Sequence, residues 1–327
     1  MTHSIAVIGA GVAGLTIARR LVGAGFVVAV FDKGRGVGGR LATRRTDVAS
    51  FDHGAQYFTI RDPAFRSFLD QHLPPDAWGR WDGRFGSLEG GRLLDETRTE
   101  PRHVGIPGMS AVARGLAEGL RVTTGLKVSQ VVGSPGQWLL VDDHETQHGP
   151  FDWVIATAPP TQSANLFTSL SPIAVQASTI VMEPCFAVMI GPGDGRAFPR
   201  DGIRCDHPAL AWAANNHSKP GRGEPHALVI HSSPVWAREH LEDDPAAIAG
   251  NLQGIAGEAF GVDLRNVESA TVHRWLYARP AEPMGQPFLI DRDARVAIAG
   301  DWCVAAKVEG AFRSGDACAR GILESYA

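Results

Sequence analysis

The chain has 327 residues, 44% of them hydrophobic and 20% charged, with a formal net charge of −4. That length exceeds what one core usually serves, so two domains are expected, and the lack of a basic stripe argues against a nucleic-acid partner. No apolar run reaches the roughly eighteen residues needed to cross a bilayer, and Cys185, Cys205, Cys303 and Cys318 form no Cys-x-x-Cys pair, which points to a reduced, cytoplasmic protein without a metal site.

The first forty residues organise the rest. An apolar run from Ile5 to Ile8 meets glycines at 9, 11 and 14, a helical pattern follows through Leu15, Ala18 and Leu21, and a second apolar run from Val27 to Phe31 ends on Asp32. This is the strand, Gly-x-Gly-x-x-Gly turn, helix, strand and acidic residue of a dinucleotide-binding βαβ unit, with Val12 and Ala13 inside the turn. Gly9 permits the tight turn, Gly11 lets the backbone approach a pyrophosphate, and Gly14 lets helix and strand pack closely. The helix N-terminus offers free N–H groups to the phosphates, and Asp32 accepts from the ribose hydroxyls. A cleaved signal peptide is not expected, because the segment has no basic leader and cleavage would remove this turn.

Immediately after Asp32 the sequence KGRGVGGR supplies Lys33, Arg35, a glycine pair ending at Gly39, and Arg40. A nicotinamide dinucleotide has no need of a second loop, whereas a longer dinucleotide lying back over the sheet does. A guanidinium beside a glycine pair suits bidentate phosphate contact, the alternative being a solvated surface cation.

Strands are expected at 49–51 and 56–60, then a helix opened by Pro63 with Phe65, Phe68 and Leu69 on one face. In GAQYF, Gln56 and Phe58 face one way on a strand and Tyr57 the other, serving either the core or a flat ring system. Residues 78–101 look like hairpins, a helix restarts near Ser110, and turns are expected at 133–136 and 148–150. The buried run 153–156 fits a parallel strand returning to the first sheet. Residues 162–284 alternate strand-like pieces with two helical segments, the longer at 245–260, and have no nucleotide loop of their own. Among their aromatic and polar residues, His231 reads most simply as a satisfied core histidine.

The last stretch, VAIAGDWCVAAKVEGAFRSGDACARGILES, gives a buried strand, Gly300-Asp301 and a closing helix with small residues on one side. Asp301 suits the hydroxyls of a ribityl chain, and free N–H groups near Glu309, Gly310 and Ala311 suit the pyrimidine end of an isoalloxazine.

With GAGVAG, FDKGRGVGGR and AGDW…VEGA in place, the chain resembles the FAD-dependent amine-oxidase superfamily. DHGAQYF, VGIPGMSAVARGL, NNHSKPGR, HRWLYARPA and GDWCVAAKVEGAF make it similar to bacterial members of the renalase family. The resemblance implies an α/β fold: a Rossmann-like FAD-binding domain (1–75, 102–161 and 285–327) with an inserted substrate domain of mixed β-sheet and helices (76–101 and 162–284). It implies oxidation of the 2- and 6-dihydro isomers of NAD(P)H to NAD(P)⁺, with dioxygen reoxidising the flavin to give hydrogen peroxide; no obligate protein partner is inferred. Carried over, Gly9, Gly11, Gly14, Asp32, Arg40, Gln56, Tyr57, Val128, Asp301, Glu309 and Gly310 would contact FAD, beside Val12, Ala13, Lys33, Arg35, Gly39 and Ala311. Tyr57, Phe58, Thr59, Trp212, His231, Tyr277 and Trp302 would form the pocket above the flavin, which takes the hydride itself without a catalytic side chain. Where His53 stands, methionine or leucine is expected. Arg61, Arg98 and Arg279 are candidates for a substrate phosphate. Oxidation of a small amine and a non-catalytic flavin-bound sensor are the alternatives.

Overall fold

The computed structural model describes residues 3–47, 49–97, 100–192, 198–223 and 226–326. Its first sheet has six strands in the order Leu289–Asp291, Val296–Ile298, Trp153–Ala156, Ser4–Ile8, Val27–Asp32 and Arg121–Thr124. All neighbours are parallel except the first pair. The central strands are apolar without alternation because both faces are covered, and Ile5, Ala6, Val7, Val154, Ile155 and Ala297 are fully buried. The 153–156 strand pairs Ile5 with Trp153 on one edge and Val154 with Val296 on the other, so it joins the two ends of the chain in one sheet. The helices Val12–Gly23 and Val308–Leu323 then pack together. A Cβ on Gly315 would lie 2.5 Å from the Ala13 carbonyl oxygen, so only glycine allows this approach. Asp316 ties the pair, bridging Arg20 and Arg320 at 2.8 Å each.

A second, seven-stranded sheet runs Ala270–Pro280, Met182–Ile190, Leu228–Ser232, Leu210–Asn215, Gly202–Cys205, Phe85–Glu89 and Arg92–Asp95. One face is closed by the Pro245–Phe260 helix, whose Leu252 shares a core with Phe186, Val188 and Ile230 of the sheet, and Asp244 caps that helix by accepting from Ala246 and Ala247 N–H. Residues directly opposite in register share a face, so Trp212, His231, Ala187 and His273 form a row across the other one. That row turns towards residues 53–57 of the first half of the molecule, as the contacts of His231 with His53 and Gln56 show.

Two local expectations are corrected. Residues 148–150 are not a turn but lie within the Gln147–Phe151 strand, held because His148 pairs with Leu140 and Phe151 with Trp138 around a register shift. Residues 56–60 form no regular strand: Phe58 alone bridges to His103, and beyond it the backbone turns to the Glu309 carboxylate. Among the described residues, no helix is long and apolar enough to cross a membrane, and no His, Cys, Asp and Glu group could hold a metal ion.

Candidate functional site

At the N-terminal turn, backbone crowding and open space alternate. Gly9 has φ +112°, and a Cβ there would lie 2.5 Å from Thr157 Oγ1. One on Gly14 would lie 2.0 Å from the Gly9 carbonyl oxygen. Around Gly11, between them, nothing comes within 4 Å of the same position. The second loop stacks on the first: Gly38 donates to the Ala10 carbonyl at 2.8 Å, and Gly39 lies against the Gly11 Cα. Asp32 holds both, one oxygen accepting from Ala10 N–H and the other from Gly34 N–H, each at 2.6 Å. Val12 and Ala13 are buried in the first helical turn, whose Gly11 N-cap has no side-chain cap. The orphan N–H groups of that turn are therefore left for a ligand or water. Lys33 and Arg35 are exposed, with Lys33 reaching Gln162 at 3.1 Å. Val128 starts a strand beside this end, where Gly125 and Leu126 donate to the Gly34 and Asp32 carbonyls.

At the C-terminal end four of the expected side chains are engaged within the protein. Arg40 and Asp301, assigned separately to a phosphate and a ribityl chain, form a bidentate pair at 2.9 and 2.6 Å, and Arg40 also donates to the Ala278 carbonyl at 3.0 Å. Glu309 accepts from the backbone N–H of Arg61 and Asp62 at 2.7 Å each, so its carboxylate anchors the segment that follows Tyr57. Trp302 is fully buried among core side chains, with its Nε1 donating to the Ala158 carbonyl at 3.4 Å. The helix beginning at Val308 opens on Lys307 without a side-chain cap, and a Cβ on Gly310 would lie 2.1 Å from the Ala305 carbonyl oxygen. Ala311, half-buried one residue on, completes that first turn.

The segment from Asp52 to Thr59 meets the second sheet. Phe58 is 3% exposed and packs with Phe65 and His103, so it belongs to the core. Gln56 is buried too. Its amide nitrogen donates to the Asp52 and Gly54 carbonyls and its oxygen accepts from Lys219 Nζ at 3.1 Å, so the amide is committed inside the protein. Tyr57 and Thr59 are half-buried. The Tyr57 ring lies 5.5 Å from Trp212 and 6.4 Å from Trp81, and Trp81 meets Phe85 edge-on at 4.8 Å. The Arg102 guanidinium sits over both Tyr57 and Phe85, at 4.9 and 3.9 Å. Tyr277 is half-buried on the strand whose Ala278 carbonyl receives Arg40. Tyr57, Trp212 and His231 are therefore brought to one region, whereas Phe58 and Trp302 are not.

Beneath the rings lies a buried charge cluster. Asp52 is fully buried and accepts from Lys219 at 3.3 Å, Arg222 at 2.5 Å, Thr43 at 2.7 Å and Met109 N–H at 2.9 Å. Burial alone would raise its pKa, but Lys219 and Arg222 outweigh that and hold it at about 2. Burial pulls Lys219 down to about 8 despite Asp52. His231 and His53 are each pushed down to about 4, chiefly by burial, and both are neutral near pH 7. The His53 carbonyl, rather than its ring, is the local acceptor, taking Trp275 Nε1 at 2.9 Å and His231 Nε2 at 3.1 Å. Of the arginines considered for a phosphate, Arg61 pairs with Glu100 and Arg279 with Glu183, and Arg98 lies outside the described residues. Sequence reasoning missed Trp81, Arg102, Lys219 and Arg222. The available signal was that Lys219 is one of only four lysines in the chain.

Stacked glycine loops on a parallel sheet, with an aromatic row on a second sheet, are the architecture of a flavin-type oxidoreductase. Residues 7–72 match the model of an NAD(P)-binding Rossmann-like domain, and residues 92–323 match that of flavin containing amine oxidoreductase. The chain belongs to the flavin-containing amine oxidoreductase family. Its structure is similar to a putative protoporphyrinogen oxidase from Exiguobacterium sp. 255-15, with TM-score 0.81, 13% identity and 99% of each chain covered. It is also similar to a triple mutant of putrescine oxidase (TM-score 0.74, 14% identity, 99% of each chain) and to the wild-type putrescine oxidase bound to putrescine (0.71, 14%, 99% of each). At these identities the likeness concerns the fold. The open space at Gly11 and the two uncapped helix starts fit a flavin cofactor with a phosphate bridge.

Proposed function

We propose that this protein is an FAD-dependent oxidase of the renalase type, which converts the 2- and 6-dihydro isomers of NAD(P)H to NAD(P)⁺. FAD, when bound, would supply the hydride acceptor and pass two electrons and one proton, with a second proton from solvent, to dioxygen to give hydrogen peroxide. Gly9, Gly11, Gly14 and Gly39 would admit the pyrophosphate, Asp32 the ribose, and the helix starting at Val308 the pyrimidine edge of the ring. Tyr57, Thr59, Trp212 and Tyr277 would position the substrate ring and keep water from it.

The observation that carries this reading is the commitment of every titratable group identified around Tyr57. His231 is neutral and held on the His53 carbonyl, Lys219 on Asp52, Gln56 and Asn216, and Arg102 on Glu96. An ammonium substrate must shed a proton before it can give up hydride. A dihydropyridine needs no base, because losing hydride makes it aromatic, and positioning within roughly 3–3.5 Å is the main requirement. Oxidation of a small amine is the second reading, favoured by the family match. Anaerobic mixing of the holoenzyme with 2-dihydro-NAD should bleach the flavin absorbance rapidly. Bleaching by putrescine or benzylamine but not by the dihydronicotinamide isomers would reject the proposal.

A further inference from the structure

We infer that Arg102 sets the charge selectivity of the aromatic site, excluding cationic substrates and admitting neutral ones with a hydrogen-bond acceptor. The inference rests on reading the Tyr57 region as the substrate end of the site.

Arg102 is 6% exposed and its Nη2 is bound to Glu96 at 2.5 Å. The carboxylate balances its charge, but the guanidinium lies over Phe85 and Tyr57 at 3.9 and 4.9 Å. Lys219 Nζ lies over the Trp81 ring, 5.2 Å from its centroid. Of the half-buried rings Tyr57, Phe85 and Trp212, two therefore already face a cation belonging to the protein, and Trp81, buried in the core beside them, faces Lys219. An aromatic group attracts an ammonium through the negative face of its ring, and a face already covered by a guanidinium has little attraction left. A substrate ammonium entering here would meet like charge in a poorly screened environment.

The hydrogen-bonding groups point the same way. Arg102 Nε and Trp212 Nε1 are both buried donors without an acceptor among the described residues, and both side chains flank Tyr57. Two unmet donors call for an acceptor, such as the carbonyl oxygen of a carboxamide, and offer nothing to an ammonium, which only donates. The ligand class is thus a flat ring bearing a carbonyl and no positive charge.

Two probes of matched size separate these properties: benzamide and benzylammonium, titrated into the holoenzyme at pH 7.5. Quenching of tryptophan fluorescence and the shift of the flavin spectrum report binding. In the wild type, benzamide should bind roughly tenfold or more tightly than benzylammonium, and Arg102→Met should shrink that ratio to about threefold or less. Arg102→Lys should keep it. Should the methionine variant not fold, Glu96→Gln provides the opposite test, because it removes the compensating charge and should widen the ratio. Equal affinities in the wild type, failure of both probes to bind, or a ratio unmoved in Arg102→Met or Glu96→Gln would each overturn the inference. Selectivity that follows Arg102 in a protein not bleached by dihydronicotinamide isomers would retire the proposed oxidation while leaving the charge filter in place.

Discussion

The glycine end and the aromatic end of this site are built on opposite principles. The first is made of backbone from contiguous sequence: Gly9 to Gly14, Asp32 and Gly38 to Gly39, shaped by what is absent from each Cα. The second is made of side chains from distant segments, at 52–57, 81–85, 102 and 212–231, and is held by charges taken out of water. A site for phosphate needs only N–H groups and room, which any properly bent backbone supplies. A site for a ring needs particular surfaces at particular angles, and here these rest on the buried Asp52, Lys219 and Arg222 cluster. The comparison predicts that damage at the glycine end removes cofactor, whereas damage at the aromatic end first removes stability.

The largest effect should follow Gly14→Val. Its Cβ would lie 2.0 Å from the Gly9 carbonyl oxygen, a backbone atom that cannot swing aside. The purified variant should carry no flavin by absorbance, and near-full occupancy would break the comparison at its first term. Next comes Asp52→Asn, which leaves Lys219 and Arg222 buried without their carboxylate. A loss of about 3–5 kcal/mol is expected in urea denaturation, since removing one partner strands the others.

A third test concerns acid. His53 has its pKa lowered from 6.5 to about 4 in the folded protein, so the unfolded chain binds the proton first as the pH falls. Stability from this group is intact above about pH 6.5 and falls between there and about pH 4, by roughly 3 kcal/mol. His231 is lowered to about 4 as well and acts in the same window. His53→Met should therefore flatten, but not abolish, the decline in urea midpoint between pH 7 and 4.5. An unchanged slope would mean that the imidazole is not the titrating group. The Trp275 and His231 contacts should survive, because they use the His53 carbonyl. The smallest effect is expected for Asp32→Ala, where flavin affinity should weaken by roughly 1.5–3 kcal/mol on loss of a charge-assisted hydrogen bond. Equilibrium dialysis of the flavin would measure it. Undiminished affinity would confine Asp32 to its contacts with Ala10 and Gly34.

Much of the first sheet is legible in the sequence because its signals are local. Glycine spacing, unbroken apolar runs and a terminal acidic residue each reflect a constraint on a few neighbouring residues, and the 153–156 and 296–298 strands announce themselves by continuous burial. The roles of Arg40, Asp301 and Glu309 were not readable, because each carboxylate partner is fixed by a loop hundreds of residues away. The same holds for Gln56, whose amide looks available in GAQYF until Lys219 arrives from the second half of the chain. Phe58 and Trp302 show the converse: aromatic residues beside a motif, drawn into the core by the packing of neighbouring strands.

What the sequence by itself determined is where the backbone crowds and where it leaves open space at the glycine turn, since a missing Cβ acts at its own position whatever surrounds it. Only the tertiary structure decided which rings line the far end, and that an arginine and a lysine already occupy their faces. A long-range ion pair and a cation over a ring depend on angles between elements that no stretch of chain encodes alone.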